Sequence, residues 1–192
     1  MECEVLRSLF HRNHVKVITN CSNHDFKALV FEYMPNGSVV KYLDLHNYFL
    51  DTRQRLRIMI YVVCVLEYLH HGCSLPIIHC DLKPSNILLN VDIGSHISNI
   101  GILKLLGADK GNFYTKTLAT LGYIAPEYGL DGLVSRKCVV YSYGIMLLEM
   151  FSRRKPNEFE GDLRLKQWVS YSLPYAVIDI VDANLLSATV KA

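Results

Sequence analysis

Apolar and polar positions alternate with different periods in different parts of this chain. Val5, Leu6 and Leu9 fall on one face at helical spacing, which predicts a helix over residues 2–10. HVKVIT (14–19) and KALVFEYM (27–34) then read as two strands joined by the polar turn NCSNHD, the pattern of a hairpin. MPNGS (34–38) has the Pro and Asn-Gly chemistry of a turn and leads into a short helical stretch. Asp51 opens a longer helical segment that runs to His71, apolar nearly all round its middle, as expected of a helix buried on most sides.

NILLN (86–90) and HISNI (96–100) read as short strands flanked by Asn, Asp and Gly. From Leu105 to Thr120 no period is sustained, and the glycines, hydroxyls and lysines there predict a mobile loop. VVYSYGIMLLEMF (139–151) is a second largely apolar helix, and RLKQWVSYSL (164–173) a shorter amphipathic one. The order predicts an α+β fold in which helices dominate.

A length of 192 residues with 51% hydrophobic content permits one domain with a sizeable core. The net charge of +2 and the scattered basic residues exclude a basic stripe, and with it nucleic acid as a partner. The six cysteines form no CxxC pair and read as reduced thiols in a cytoplasmic setting. The start carries charges where a signal peptide needs an apolar core, and the longest apolar runs, 58–66 and 143–148, are well short of the ~20 residues of a membrane span.

Chemistry concentrates in HCDLKPSN (79–86), where Pro84 prevents a regular helix. An aspartate in such a turn can take a hydroxyl proton, a nearby lysine can neutralise phosphate charge, and an asparagine carbonyl can ligate Mg²⁺. A solvated turn is the plain alternative for each residue taken singly. His70, His71, Cys73, His79 and Cys80 lie near one another in sequence and offer a zinc reading, although their spacing matches no standard zinc pattern.

Asp81 to Asn86 follows the kinase catalytic loop HRDLxxxN, and Ala125-Pro126-Glu127 supplies APE after a hydroxyl-rich loop. The chain resembles the eukaryotic protein kinase domain. HHG at 70–72, HCDLKPSN, TLATLGYIAPEYG at 117–129 and YSYGIMLLE at 141–149 resemble plant receptor-like serine/threonine kinases of the leucine-rich-repeat kind. The resemblance implies a protein-kinase-like fold, with residues 1–34 as a remnant of the N-lobe and 35–192 as a C-lobe lacking its last helices.

It also implies Asp81 as general base, Lys83 as phosphate-facing lysine, and Asn86 and Asn99 as Mg²⁺ ligands. Glu32, Tyr33 and Met34 would form the hinge, with backbone groups of Glu32 and Met34 on adenine, Phe31 as gatekeeper and Leu88 as the floor under the base. Thr120 would sit beside Asp81 in the substrate loop, and Thr115 and Thr117 would be phosphorylation sites. ATP and Mg²⁺ are the implied cofactors, and a protein substrate or a partner kinase the implied partner. Family members are plasma-membrane receptors with a cytoplasmic kinase domain, so the expected location of this stretch is cytoplasmic.

Three departures from the family pattern stand out. Asn99-Ile100-Gly101 replaces DFG, so the bridging Mg²⁺ loses a carboxylate. One unit charge at about 4 Å is worth ~4 kcal/mol at an effective dielectric of about 20, which translates into a rate loss of at least about a thousandfold. The glycine-rich loop and its strand lysine have no counterpart in residues 1–192, which would leave Glu2 without its partner. Val139 stands where the family has an aspartate that accepts hydrogen bonds from the catalytic loop, which predicts a less firmly placed His79–Asp81 segment. Together they predict an impaired kinase domain, with a protein-binding pseudoenzyme or an inactive gene relic as alternatives.

Overall fold

The computed structural model describes residues 11–22, 27–98, 103–105, 113–114, 120–159 and 163–189. The helix expected over 2–10, Glu2, Asn99, Thr115 and Thr117 lie outside the described residues.

The hairpin forms from β1 (Val17–Ser22) and β2 (Lys27–Phe31), paired antiparallel with an irregularity between Val17 and Thr19. Side chains alternate as a half-buried strand requires: Leu29 and Phe31 pack on the core and Val30 faces out. The first strand starts three residues later than its sequence pattern suggests. His14 instead bridges to Ile97: the Val15 amide donates to the Ile97 carbonyl at 3.1 Å, and the Ile97 amide to Asn13 at 3.0 Å.

The MPNGS turn closes through the Gly37 amide, which donates to the Met34 carbonyl at 3.1 Å. Gly37 has φ 68°, a left-handed conformation that only glycine adopts without steric cost. A short helix α1 (Val39–Asp44) follows, then α2 (Thr52–Glu67). Asp51 starts α2 by accepting the Gln54 amide at 2.7 Å, while the Gln54 side chain accepts the Asp51 amide at 2.9 Å, a reciprocal capping box. The helix continues into one π turn, Tyr68–Gly72.

Expected burial on most sides of α2 is not what the fold provides. Arg55, Ile58, Met59, Val62, Val65 and Leu66 are buried, but Leu56, Ile60 and Val63 remain exposed along the opposite side. An apolar run therefore overstated burial here, because only one side of the helix meets the rest of the described chain.

Short antiparallel pairs follow: β3 (Ile77–His79) with β6 (Leu103–Leu105), β4 (Ile87–Leu89) with β5 (Ser95–Ile97), and β7 (Phe113–Tyr114) with β8 (Leu133–Val134). The second pair was legible in the sequence. The stretch expected to be loop, 105–120, contains the strand β7 and begins at the last residue of β6, because both take backbone partners from distant segments. Between β7 and β8 lies α3 (Pro126–Asp131), with proline at its first position.

The long helix α4 (Arg136–Ser152) crosses the core, where Met146 and Met150 pack with Ile58, Val62, Leu69, Leu82 and Leu89. It ends at Arg153, whose φ of 55° turns the chain and whose Nε donates to the Leu43 carbonyl at 2.8 Å. The remaining helices are α5 (Leu165–Ser172), α6 (Val177–Ile180) and α7 (Ala183–Thr189). Asp182 ties this last segment inward through a 2.6 Å ion pair with Arg55, both side chains almost fully buried. Among the described residues no helix is long and apolar enough to cross a membrane.

Candidate active site

The site is built on one tight turn. β3 delivers His79 into the core, Pro84 starts a single 3₁₀ turn over Pro84–Asn86, and β4 carries the chain away again. Proline suits that place because its missing amide is not needed at the first position of a helical turn. Asn86 is thereby folded back under Asp81. Its Nδ2 donates to the Asp81 carbonyl at 2.6 Å and to Oδ2 at 3.1 Å.

Asp81 is the centre of a network. Thr120 donates to Oδ1 from its amide at 2.9 Å and from its hydroxyl at 2.7 Å. Lys83 lies 2.9 Å from Oδ2 and also donates to the Thr120 hydroxyl at 2.5 Å. Burial alone would push the Asp81 carboxyl up, but the Lys83 and Thr120 hydrogen bonds outweigh it and hold the group below its ordinary range. The side chain is therefore a carboxylate held in place at both oxygens.

His79 supports this turn from beneath. Its Nδ1 accepts the Asp81 amide at 3.3 Å, so Nε2 carries the proton and donates to the Ser98 carbonyl at 3.1 Å. Burial pushes its pKa down, in keeping with a neutral ring. Val139 is buried in the core and offers no acceptor. Asn86 and His79 thus brace the Asp81 turn, alongside the Lys83 and Thr120 contacts.

The structure thus brings together four residues separated by up to 39 positions: Asp81, Lys83, Asn86 and Thr120. Glu32 and Met34 follow β2 directly. The Glu32 amide donates to Lys16 at 2.9 Å, while the Met34 carbonyl is taken by Gly37. Leu88 lies half-buried on β4, opposite His96, and the same turn reaches that strand: the Leu89 amide donates to Gly37 at 2.8 Å, and the Asn36 amide to Leu89 at 3.2 Å. The turn that follows the hinge candidates therefore lies against the strand that carries Leu88.

Sequence reasoning missed the residues that hold the segment after Thr120. The Ser142 hydroxyl donates to the Tyr123 carbonyl at 2.7 Å, and the Tyr123 hydroxyl donates to Glu149. Glu149 is buried, and that burial pushes its carboxyl up to about 7. An acidic residue inside the apolar run of α4 was the available signal. For the zinc reading, among the described residues no three His, Cys, Asp or Glu side chains converge on a point.

Among the described residues the donor set fits a divalent cation poorly. Asn86 offers a neutral carbonyl, and the nearby anion, Asp81, already has its oxygens engaged by Lys83, Thr120 and Asn86. Mg²⁺ sites of this type need one or two carboxylates beside phosphate oxygens.

Comparison with known proteins is consistent with this geometry. The protein kinase domain family matches residues 1–175. A "probable LRR receptor-like serine/threonine-protein kinase" of Arabidopsis thaliana is 43% identical over 206 residues, covering 96% of this chain and 20% of the relative. The LRR receptor-like serine/threonine-protein kinase EFR of Arabidopsis thaliana is 44% identical, covering 87% of this chain and 18% of the relative. The receptor kinase-like protein Xa21 of Oryza sativa subsp. japonica is 37% identical, covering 96% and 20%. The chain thus spans about a fifth of the length of these curated relatives. Among solved structures, the pseudokinase domain of BIR2, an immune regulator of the RLK/Pelle family, superposes with a TM-score of 0.79 at 32% identity, covering 96% of this chain and 55% of that one.

Proposed function

Since the chain belongs to the protein kinase domain family, and within it to the plant receptor-like type, we propose that it is a pseudokinase-like module that keeps the protein-facing half of the cleft and has largely lost phosphoryl transfer. One observation carries this reading. Asp81, Lys83, Asn86 and Thr120 are assembled in hydrogen-bond contact, while the sequence has Asn99-Ile100-Gly101 where the family pattern has DFG and its metal-binding carboxylate.

Asp81 would face the hydroxyl of a bound protein segment, with Lys83 and Thr120 fixing its carboxylate. Glu32, Met34 and Leu88 would line the adenine position, with the Glu32 carbonyl and the Met34 amide as base-facing groups. Asn86 and Asn99 would be the remnants of the metal site, and Thr115 and Thr117 candidate acceptors for a partner kinase. The missing unit charge, at ~4 kcal/mol, corresponds to a loss of about a thousandfold or more in magnesium-dependent chemistry. The partner is then a protein segment or another kinase, on the cytoplasmic side of a membrane. BIR2, a pseudokinase immune regulator, offers a precedent for such a role in the same fold.

The test is direct. Purified chain titrated with ATP and Mg²⁺ is expected to show no micromolar, magnesium-dependent binding and no labelling of itself or of a generic basic protein, while unfolding cooperatively. Micromolar MgATP affinity, or labelling abolished by Asp81→Ala, would show an active kinase instead. An aggregated or non-cooperative preparation would reject a folded binding module.

A further inference from the structure

The substrate loop is held from below by a segment that is distant in sequence. Asn157 lies in the loop after α4, and its Nδ2 donates to the Leu121 carbonyl at 2.8 Å. The next residue, Gly122, has φ 98°, and a Cβ there would come within 2.8 Å of the Asn157 amide and 2.9 Å of the Pro156 side chain. Leu121 and Gly122 immediately follow Thr120, whose amide and hydroxyl both donate to Asp81 Oδ1.

These contacts form a short rigid chain. Gly122 lacks a side chain where the Pro156 and Asn157 side chains press against it, so these can pack on its backbone and Asn157 can reach the carbonyl one residue beyond Thr120. On the far side, the Tyr123 carbonyl is held by Ser142 at 2.7 Å, and the Tyr123 amide turns back to the Thr120 carbonyl at 3.2 Å. The peptide group after Thr120 is thus fixed at both ends, leaving Thr120 little freedom to rotate away from the carboxylate.

We infer that Asn157 is a positioning residue for the acceptor site: by holding the Leu121 carbonyl against an interlocked Gly122, it sets where the Thr120 amide and hydroxyl meet Asp81. The inference concerns the same cleft as the proposed function but depends only on the loop geometry, and its test needs neither nucleotide nor a partner.

In the full chain, the Thr120 amide is followed by its proton chemical shift and its hydrogen-exchange rate. Asn157→Ala is expected to move the shift upfield and speed exchange at Thr120 by about tenfold or more, with amides in the middle of α4 unchanged. Asn157→Asp keeps the shape and the packing on Gly122 but removes the donor, and is expected to behave like Asn157→Ala. In an Asp81→Ala background, Asn157→Ala should leave the Thr120 proton shift where Asp81→Ala alone puts it, because Asn157 acts through that contact.

An unchanged Thr120 signal in Asn157→Ala would overturn the inference, as would wild-type behaviour of Asn157→Asp or an equal upfield change without Asp81. Should Asn157→Ala not fold, Asn157→Asp is read by the same criteria, and failure of both to fold would make Asn157 a general structural residue and overturn the inference as well. Because these readouts are independent of ATP, a negative result here leaves the pseudokinase reading standing, and an active kinase would leave this inference standing.

Discussion

Glu149 shows how one buried group sets a pH dependence. It accepts from Tyr123 inside the fold, and burial pushes its carboxyl from 4.5 to about 7. The folded chain therefore holds this proton more tightly than the unfolded chain does. Its contribution is best below the unfolded value and turns into a penalty as pH rises through 7, of about 3 kcal/mol when complete. Glu149→Gln retains an acceptor for Tyr123 and carries no charge. The variant is expected to be more stable than the parent by up to about 3 kcal/mol near pH 8 and to lose that advantage near pH 4, as read by urea unfolding at both values. An equal difference at the two pH values would mean that folding does not shift the Glu149 carboxyl.

Among elements, the connection between α2 and the last helices depends on Arg55. Its Nε donates to Leu50 at 2.9 Å and Nη1 to Met150 at 2.6 Å, and Nη2 pairs with Asp182. Burial lowers its pKa, but Asp182 opposes that, and the guanidinium keeps its charge. Removing Asp182 strands the Arg55 charge, and removing Arg55 leaves Asp182 only Arg153 at 3.9 Å; breaking such a buried pair typically costs about 3–5 kcal/mol. Arg55→Met should destabilise by that amount in urea unfolding, and Asp182→Ala similarly. The double variant should cost less than the sum of the two, since no lone charge remains. Strict additivity would show that the pair is not coupled. Nothing in the hydrophobic pattern of α2 distinguished Arg55 from the exposed Arg53 and Arg57, because which arginine turns inward depends on a partner 127 residues away.

For the whole molecule, opposed titrations predict a stability maximum near neutrality. Burial depresses His14 and His70 from 6.5 to about 4, each further lowered by neighbouring histidines and, for His70, by Arg136. Neutral rings are preferred in the fold, so stability falls as pH drops from 6.5 toward 4. Glu149 acts in the opposite sense between 4.5 and 7, but two histidines outweigh one glutamate below 6.5. Unfolding free energies measured from about pH 4 to pH 8 should peak between about 6 and 7 and decline on the acid side. A monotonic rise with falling pH would contradict the burial of these histidines.

What the sequence determined by itself was local or carried by spacing. The turn at 34–38, the Asp51 cap, the proline-started turn ending at Asn86 and the α4 helix each follow from neighbouring residues, and the spacing of HCDLKPSN and APE pointed to the family and, through that resemblance, to Lys83, Asn86 and Thr120 as the companions of Asp81. The tertiary structure alone decided which atoms hold those residues. Thr120 reaches Asp81 across 39 positions, Asn157 reaches Leu121 across 36, and Arg55 reaches Asp182 across 127. It also decided that α2 leaves Leu56, Ile60 and Val63 exposed, and that β6 and β7 find strand partners. The physical reason is range: caps, turns and periodicity act over a few residues, whereas burial, charge pairing and strand pairing depend on segments that meet only once the chain has folded.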